Sequence, residues 1–283
     1  MKTDSARFKT SPRDVVLYAV LTLALVVASP FASADSLADV QKAGVIKSVT
    51  EMQTPPFDMV VDGQYQGYDR DLMDQVAKEL GVKVAYTDLP WTSVLPAVDA
   101  KKFDMSNSNV TISKARAEHY AFTAPIAEAS VTLLKRADDT SINAPTDIKG
   151  KTVGAIKAGA SLTIFKDFIA ANHLNVDTRE YVNAQQSFTD LANGRVEAVV
   201  TTAAIANYTA LAQPKQFKVV KPSFGPPAYF SWTLRRGDDD KRLLDAINAA
   251  LAKIQQDGRL AQIQKKWFGV SSSLPTTLPA PNF

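Results

Sequence analysis

Apolar residues recur along the chain in two alternating patterns, short continuous runs and three-or-four spacings. Val45-Ile46-Lys47-Ser48-Val49 follows Gly44 and predicts a buried strand. Residues 51–58 contain Pro55-Pro56 and predict a loop, and Asp62-Gly63 predicts a turn. Asp69 can cap a helix whose apolar positions are Leu72, Met73, Val76 and Leu80, with Gly81 as its stop. Val82, Val84 and Tyr86 alternate, so a strand follows; Thr92 then caps a short helix with Val94, Leu95 and Val98 inward. Strand, helix, strand, helix predicts a parallel sheet covered by helices.

A second unit repeats the logic. Strands are predicted at 151–156, 180–182, 196–201 and 217–220. Between them lie helices at 160–173 (Leu162, Phe165 and Ile169 on one face), 186–193 (Phe188 and Leu191 inward) and 203–212 (Ile205, Tyr208 and Leu211 inward). Residues 222–227 read as a connector. A strand at 229–235, a long helix through Leu243, Leu244, Ile247, Leu251 and Ile254, and a short amphipathic helix at 259–267 complete the pattern. The tail, 270–283, is rich in Ser, Thr and Pro and is expected to be flexible. Two α/β units joined by connectors predict a cleft, the preferred place for a ligand.

The first 34 residues differ. Lys2, Arg7, Lys9 and Arg13 precede an apolar run of 13 from Val15 to Val27, followed by Ser29-Pro30-Phe31 and the small-x-small Ala32-Ser33-Ala34. That order is a secretory signal peptide, with cleavage expected after Ala34. The run is shorter than the roughly 20 residues a bilayer core needs. Setting the leader aside leaves 249 residues with 28 Lys and Arg against 27 Asp and Glu, so the net charge of +3 belongs mostly to the leader. A nearly neutral chain has no bulk polycation for nucleic acid. The absence of cysteine excludes disulfides, thiolate metal sites, a thiol nucleophile and a lipidated cysteine anchor. Two histidines cannot make a His-rich metal site, and no cofactor is expected. The location expected is a bacterial periplasm.

Several stretches, in their order and spacing, resemble one family. They are Gly44-Val45-Ile46-Lys47, Pro55-Pro56-Phe57, Gly67-Tyr68-Asp69-Arg70-Asp71-Leu72, Trp91 to Val98 with Lys102-Phe103-Asp104, and Val110-Thr111-Ile112-Ser113-Lys114-Ala115-Arg116. Further on come residues 147–154, 191–199 and Lys265-Lys266-Trp267-Phe268-Gly269. Together they resemble the periplasmic polar amino-acid-binding proteins of ABC importers (solute-binding protein family 3) over about residues 39–269. The resemblance implies a two-domain periplasmic-binding-protein fold of type II, the Venus-flytrap, with two hinge crossovers near 125–129 and 222–228. Domain 1 would comprise 35–126 plus 227–269, and domain 2 would comprise 127–226. It also implies a binding module with no catalytic residue, a monomer whose partner is a permease in the inner membrane.

The resemblance also implies a site. Arg116 would hold the ligand's carboxylate, for which a guanidinium fork is suited. Thr111 would contact the same carboxylate, Asn109 would face the ligand, and Ser161 at a helix start would add N–H groups for an anion. Trp91 would form an aromatic wall; Phe57 and Trp232 are better read as core. Two positions depart from the family: Thr202 falls where many members carry an acid for the α-ammonium, and Thr54 where an aromatic is usual. Either Glu51 supplies the missing charge, or water does, or the ligand lacks the ammonium; a buried ammonium without a counter-charge is costly. The expected ligand is an amino acid or related small carboxylate. One alternative is an enzyme on the same fold, resembling periplasmic cyclohexadienyl (prephenate) dehydratases, with Glu51 as the acid. Another is a freestanding receptor that docks on a separate sensor.

Overall fold

The computed structural model describes residues 35–281; the signal peptide reading falls on residues 1–34, outside the described residues. The chain opens with helix α1 (Ser36–Ala43), strand β1 (Val45–Thr50), the short strands β2 (Gln53–Thr54), β3 (Asp58–Val61) and β4 (Gln64–Gln66), and helix α2 (Tyr68–Leu80). It continues through β5 (Lys83–Asp88), α3 (Trp91–Asp99), β6 (Met105–Thr111), α4 (Lys114–His119), β7 (Tyr120–Phe122) and β8 (Ala127–Glu128). Then come β9 (Val131–Arg136), β10 (Thr152–Ile156), α5 (Ala160–Ala171), β11 (Asp177–Tyr181), α6 (Ala184–Ala192), β12 (Ala198–Thr202), α7 (Ala203–Ala212) and β13 (Phe217–Phe224). The last elements are β14 (Tyr229–Arg235), α8 (Asp238–Gln256) and α9 (Arg259–Phe268).

These elements form a two-domain α/β fold with two mixed sheets. The first has the order β5-β1-β6-β14-β7, with β8 also on β14, and the second β11-β10-β12-β9-β13. In each, the strands joined through helices are parallel, as βαβ crossovers demand. The one reversed strand in each sheet, β14 in the first and β9 in the second, is the strand that follows a passage between the sheets. The chain thus leaves the first sheet after β8 and returns to it with β14.

Helix α2 shows why the local sequence folds as it does. Leu72, Met73, Val76 and Ala77 give it a buried stripe, and Gly81 closes it in the left-handed region at φ 71°. Its start is set by Gly67, at φ 142°, where a Cβ would lie 2.0 Å from the Phe57 carbonyl oxygen. That approach lets Tyr68 and Asp69 donate their N–H groups to Pro56 O and Phe57 O at 2.9 and 3.0 Å.

Some expectations differ in detail. Helix α3 starts at Trp91, after Pro90, rather than being capped by Thr92. Part of the loop predicted at 51–58 is instead strand, and with β4 it forms a small three-stranded sheet. Strand β13 runs on to Phe224, into the predicted connector. Helix α7 buries Ile205, Ala206 and Thr209, while Leu211 is 78% exposed, because at about 3.6 residues per turn it lies on the opposite face. The tail is pinned at Leu274, which is buried and whose carbonyl accepts from Gln255 Nε2 at 3.0 Å. Phe57 and Trp232 are core residues, fully buried.

Candidate functional site

Loops at strand ends of both sheets converge on one cavity of ≈ 90 Å³. All eight residues named from the sequence line it: Glu51 and Thr54 after β1, Trp91 at the start of α3, Asn109 and Thr111 in β6, Arg116 in α4, Ser161 in α5, and Thr202 at the end of β12. Ser108, Ile156, Thr201, Ile205 and Phe230 complete much of the wall and were not singled out from sequence. Ser108 sits in the polar run Ser106-Asn107-Ser108-Asn109, an unusual strand interior that could have flagged it. A larger cavity of ≈ 430 Å³, between α7 and α9, contains none of the eight and no basic residue.

Arg116 is positioned from both sides of the cleft. Ser113 caps α4 by accepting from the Arg116 N–H at 3.4 Å. The guanidinium donates through Nη1 to Thr111 O and through Nη2 to Ala158 O, each at 3.0 Å. It lies over the Trp91 ring, 5.2 Å from the centroid. Ala158 belongs to the loop before α5 and holds a left-handed φ of 58°, an uncommon state for a residue with a Cβ. Burial draws the Arg116 pKa down to about 10, so the group stays cationic at neutral pH. Among the described residues no carboxylate forms an ion pair with it. A half-buried guanidinium fork without a carboxylate is a ready anion site.

Three helices of the second sheet begin at this cavity. Helix α6 is capped by the Asn183 side chain, which accepts from Gln186 N at 2.9 Å. Neither α5 nor α7 has a side-chain cap, which leaves helix N-terminal N–H groups beside Ser161 and Thr202. Thr202 is buried, and its Oγ1 has no hydrogen-bond partner among the described residues. Glu51 is the acid in the wall. It is 6% exposed, and burial pushes its pKa up to about 7, with the Asp88 charge adding and the Trp91 N–H opposing.

Beneath the wall lies a buried polar layer. Ser48 Oγ donates to Asn107 Oδ1 at 2.6 Å, Asn107 Nδ2 to the Tyr65 hydroxyl at 2.9 Å, and Tyr65 to Asp58 Oδ1. Asp69 accepts from Trp232 Nε1 at 3.2 Å. Burial holds the carboxyls of Asp58 and Asp69 well above the usual range, and the charge of Asp58 raises Asp69 further. Among the described residues there is no group of three His, Asp or Glu able to hold a metal, and no helix long and apolar enough to cross a membrane.

Two α/β sheets joined by crossing strands, with an arginine free of any carboxylate ion pair in the cleft between them, fit a two-domain solute-binding protein. The chain belongs to the bacterial extracellular solute-binding proteins, family 3, whose model matches residues 46–270. It is 30% identical over 258 residues to the L-cystine-binding protein TcyJ of Escherichia coli (strain K12), covering 89% of this chain and 94% of that protein. An ancestral arginine-binding protein bound to glutamine shares 32% identity and a TM-score of 0.72, over 80% of this chain and 98% of that one. An ancestral amino acid-binding protein, a precursor of cyclohexadienyl dehydratase, shares 30% identity and a TM-score of 0.74, over 83% and 100%. Each of the three is named for binding.

Proposed function

We propose that this chain is the periplasmic binding component of an ABC importer for an amino acid, exported by its leader and acting as a monomer with an inner-membrane permease. The observation that carries the site is Arg116, a cleft guanidinium with no carboxylate ion-paired to it among the described residues. The ligand's carboxylate takes that place, with Thr111 and Ser161 adding hydrogen bonds and Trp91 a flat wall. Asn109 and Thr54 shape the remainder of the pocket. The domains are 35–126 plus 227–269 and 127–226, hinged near 125–129 and 222–228. They close on the ligand because it binds the closed form more tightly, the condition any ligand-driven switch must meet. The permease then reads the closed face. The names of the relatives support amino acids as the ligand class, since cystine, arginine and glutamine all appear among them.

The test is calorimetry and thermal shift with a panel of amino acids on the wild type and on Arg116→Ala. Removing one partner of a buried charge pair costs about 2–5 kcal/mol, roughly thirtyfold or more in affinity. The variant is expected to lose the thermal shift while keeping its own melting transition. A full shift in Arg116→Ala would show that the carboxylate binds elsewhere.

A further inference from the structure

We propose that the ligand is an amino acid of zero net charge, with an uncharged side chain, whose ammonium is taken by Glu51 and Thr202 while Arg116 takes its carboxylate. This rests on the reading of the cavity as an amino-acid site, and it names which amino acids fit.

The inference is one of charge balance. The residues lining the cavity include two charged side chains, Arg116 and Glu51. A charge buried without a counter-charge is strongly disfavoured, so a closed site and its ligand must neutralise each other. The main chain of an amino acid brings one carboxylate and one ammonium, and these use both lining charges. A basic side chain would add a cation with no lining partner, and an acidic one would add an anion beside Glu51.

The second sheet's side of the cavity contributes no ionisable group. It offers Ser161, Ala184, Thr201, Thr202 and Ile205. Thr202 Oγ1 is nonetheless a buried acceptor with no partner among the described residues. An ammonium has three N–H donors. The Glu51 carboxylate and Thr202 Oγ1 line the same cavity and offer it two acceptors.

Glu51 must be ionised to do this, and its surroundings resist that. Burial raises its pKa most, the Trp91 N–H of α3 opposes, Asp88 at the end of β5 adds to the rise, and the Asp58 carboxyl of β3 interacts with it. Arg116 of α4 lines the same cavity. Lying near neutrality, Glu51 is partly protonated in the free protein. Arrival of the ammonium favours the carboxylate, and the proton leaves to solvent. Binding and proton release are therefore linked.

The experiment is calorimetry at pH 6, 7 and 8, in buffers of different ionisation enthalpy. The probes are glutamine, alanine and leucine, then arginine and lysine, then glutamate, then lactate and pyruvate. The expected result is that a neutral amino acid binds tightest, about tenfold more tightly at pH 8 than at pH 6, with proton release at pH 7. Glu51→Gln should weaken binding and flatten the pH profile, and Glu51→Asp should restore a pH dependence. Tightest binding by arginine or lysine, or a flat wild-type profile, overturns the charge assignment while leaving the amino-acid reading intact. Binding of lactate or pyruvate with no amino acid bound overturns the amino-acid reading itself. A Glu51→Gln variant with wild-type affinity and pH profile shows that Glu51 does not hold the ammonium.

Discussion

At position 202 a hydroxyl stands where one more atom of reach and a charge would change what the pocket accepts. Thr202 is the residue before α7, and its side chain gives the helix no cap. Replacing it with Asp adds an anion at a helix N-terminus, where carboxylates are favoured both as caps and by the helix dipole. The fold should tolerate the change. The cavity, however, would hold two acids against one arginine. Thr202→Asp is therefore expected to shift preference toward arginine and lysine, by roughly tenfold or more relative to glutamine, as one new buried ion pair allows. Competition binding against a fixed fluorescent ligand checks it, and an unchanged order of preference would sink the charge-balance reading. That these eight residues would line one cavity was legible because they sit in short stretches near strand and helix ends, where family-like spacing carries over. Ser108 and the Asp58–Asp69 pair were not. A buried acid and a surface acid look the same in sequence, and only the fold shows that Asp58 and Asp69 are fully buried.

Elements announce themselves through apolar spacing, and they are missed where burial is polar. Helices α2, α8 and α9 carry clear stripes, and their cores follow those stripes. Strand β6 does not: Ser106, Asn107 and Ser108 are buried, so no apolar alternation marks it as the strand that carries the site. Leu211 fails for another reason: it continues the three-residue spacing of Ile205 and Tyr208, and at about 3.6 residues per turn that row drifts off the face that buries Ile205, Ala206 and Thr209. The junction before α2 makes a sharper claim. Gly67 lies at φ 142°, and any Cβ there would strike the Phe57 carbonyl at 2.0 Å, backbone that cannot swing aside. Gly67→Ala should destabilise by about 2–4 kcal/mol, combining a forbidden φ with a steric clash. Urea unfolding measures it. Gly44→Ala is the control, because Gly44 is also left-handed but has nothing within 4 Å of its Cβ position. Equal losses for the two would mean that φ alone, and not the contact with Phe57, sets the cost.

Across the whole molecule the buried acids give stability an inverted pH dependence. Asp58 is raised from 3.8 and Glu51 from 4.5, both to about 7, with burial the leading cause in each. A carboxyl whose folded pKa lies above its unfolded value binds more protons in the native state between those values. Stability then falls as pH rises through that window, here from about 4 to about 7. Glu79, Asp190 and Asp257 are held below the usual range by neighbouring Arg, Lys or Tyr groups, and Asp147 by backbone N–H groups, so these four titrate beneath this window. The melting temperature of the free protein is thus expected to drop between pH 5 and pH 8, and Asp69→Asn should flatten that slope. A melting temperature that rises steadily over the same range would show that the acids are not buried in the native state. Ligand binding runs the other way. An ammonium set against Glu51 turns the ionised carboxylate from a cost into an ion pair, so affinity grows over the interval in which the free protein weakens. The shift in melting temperature caused by a fixed, saturating amino acid should therefore be larger at pH 8 than at pH 6 in the wild type, and equal at the two pH values in Glu51→Gln.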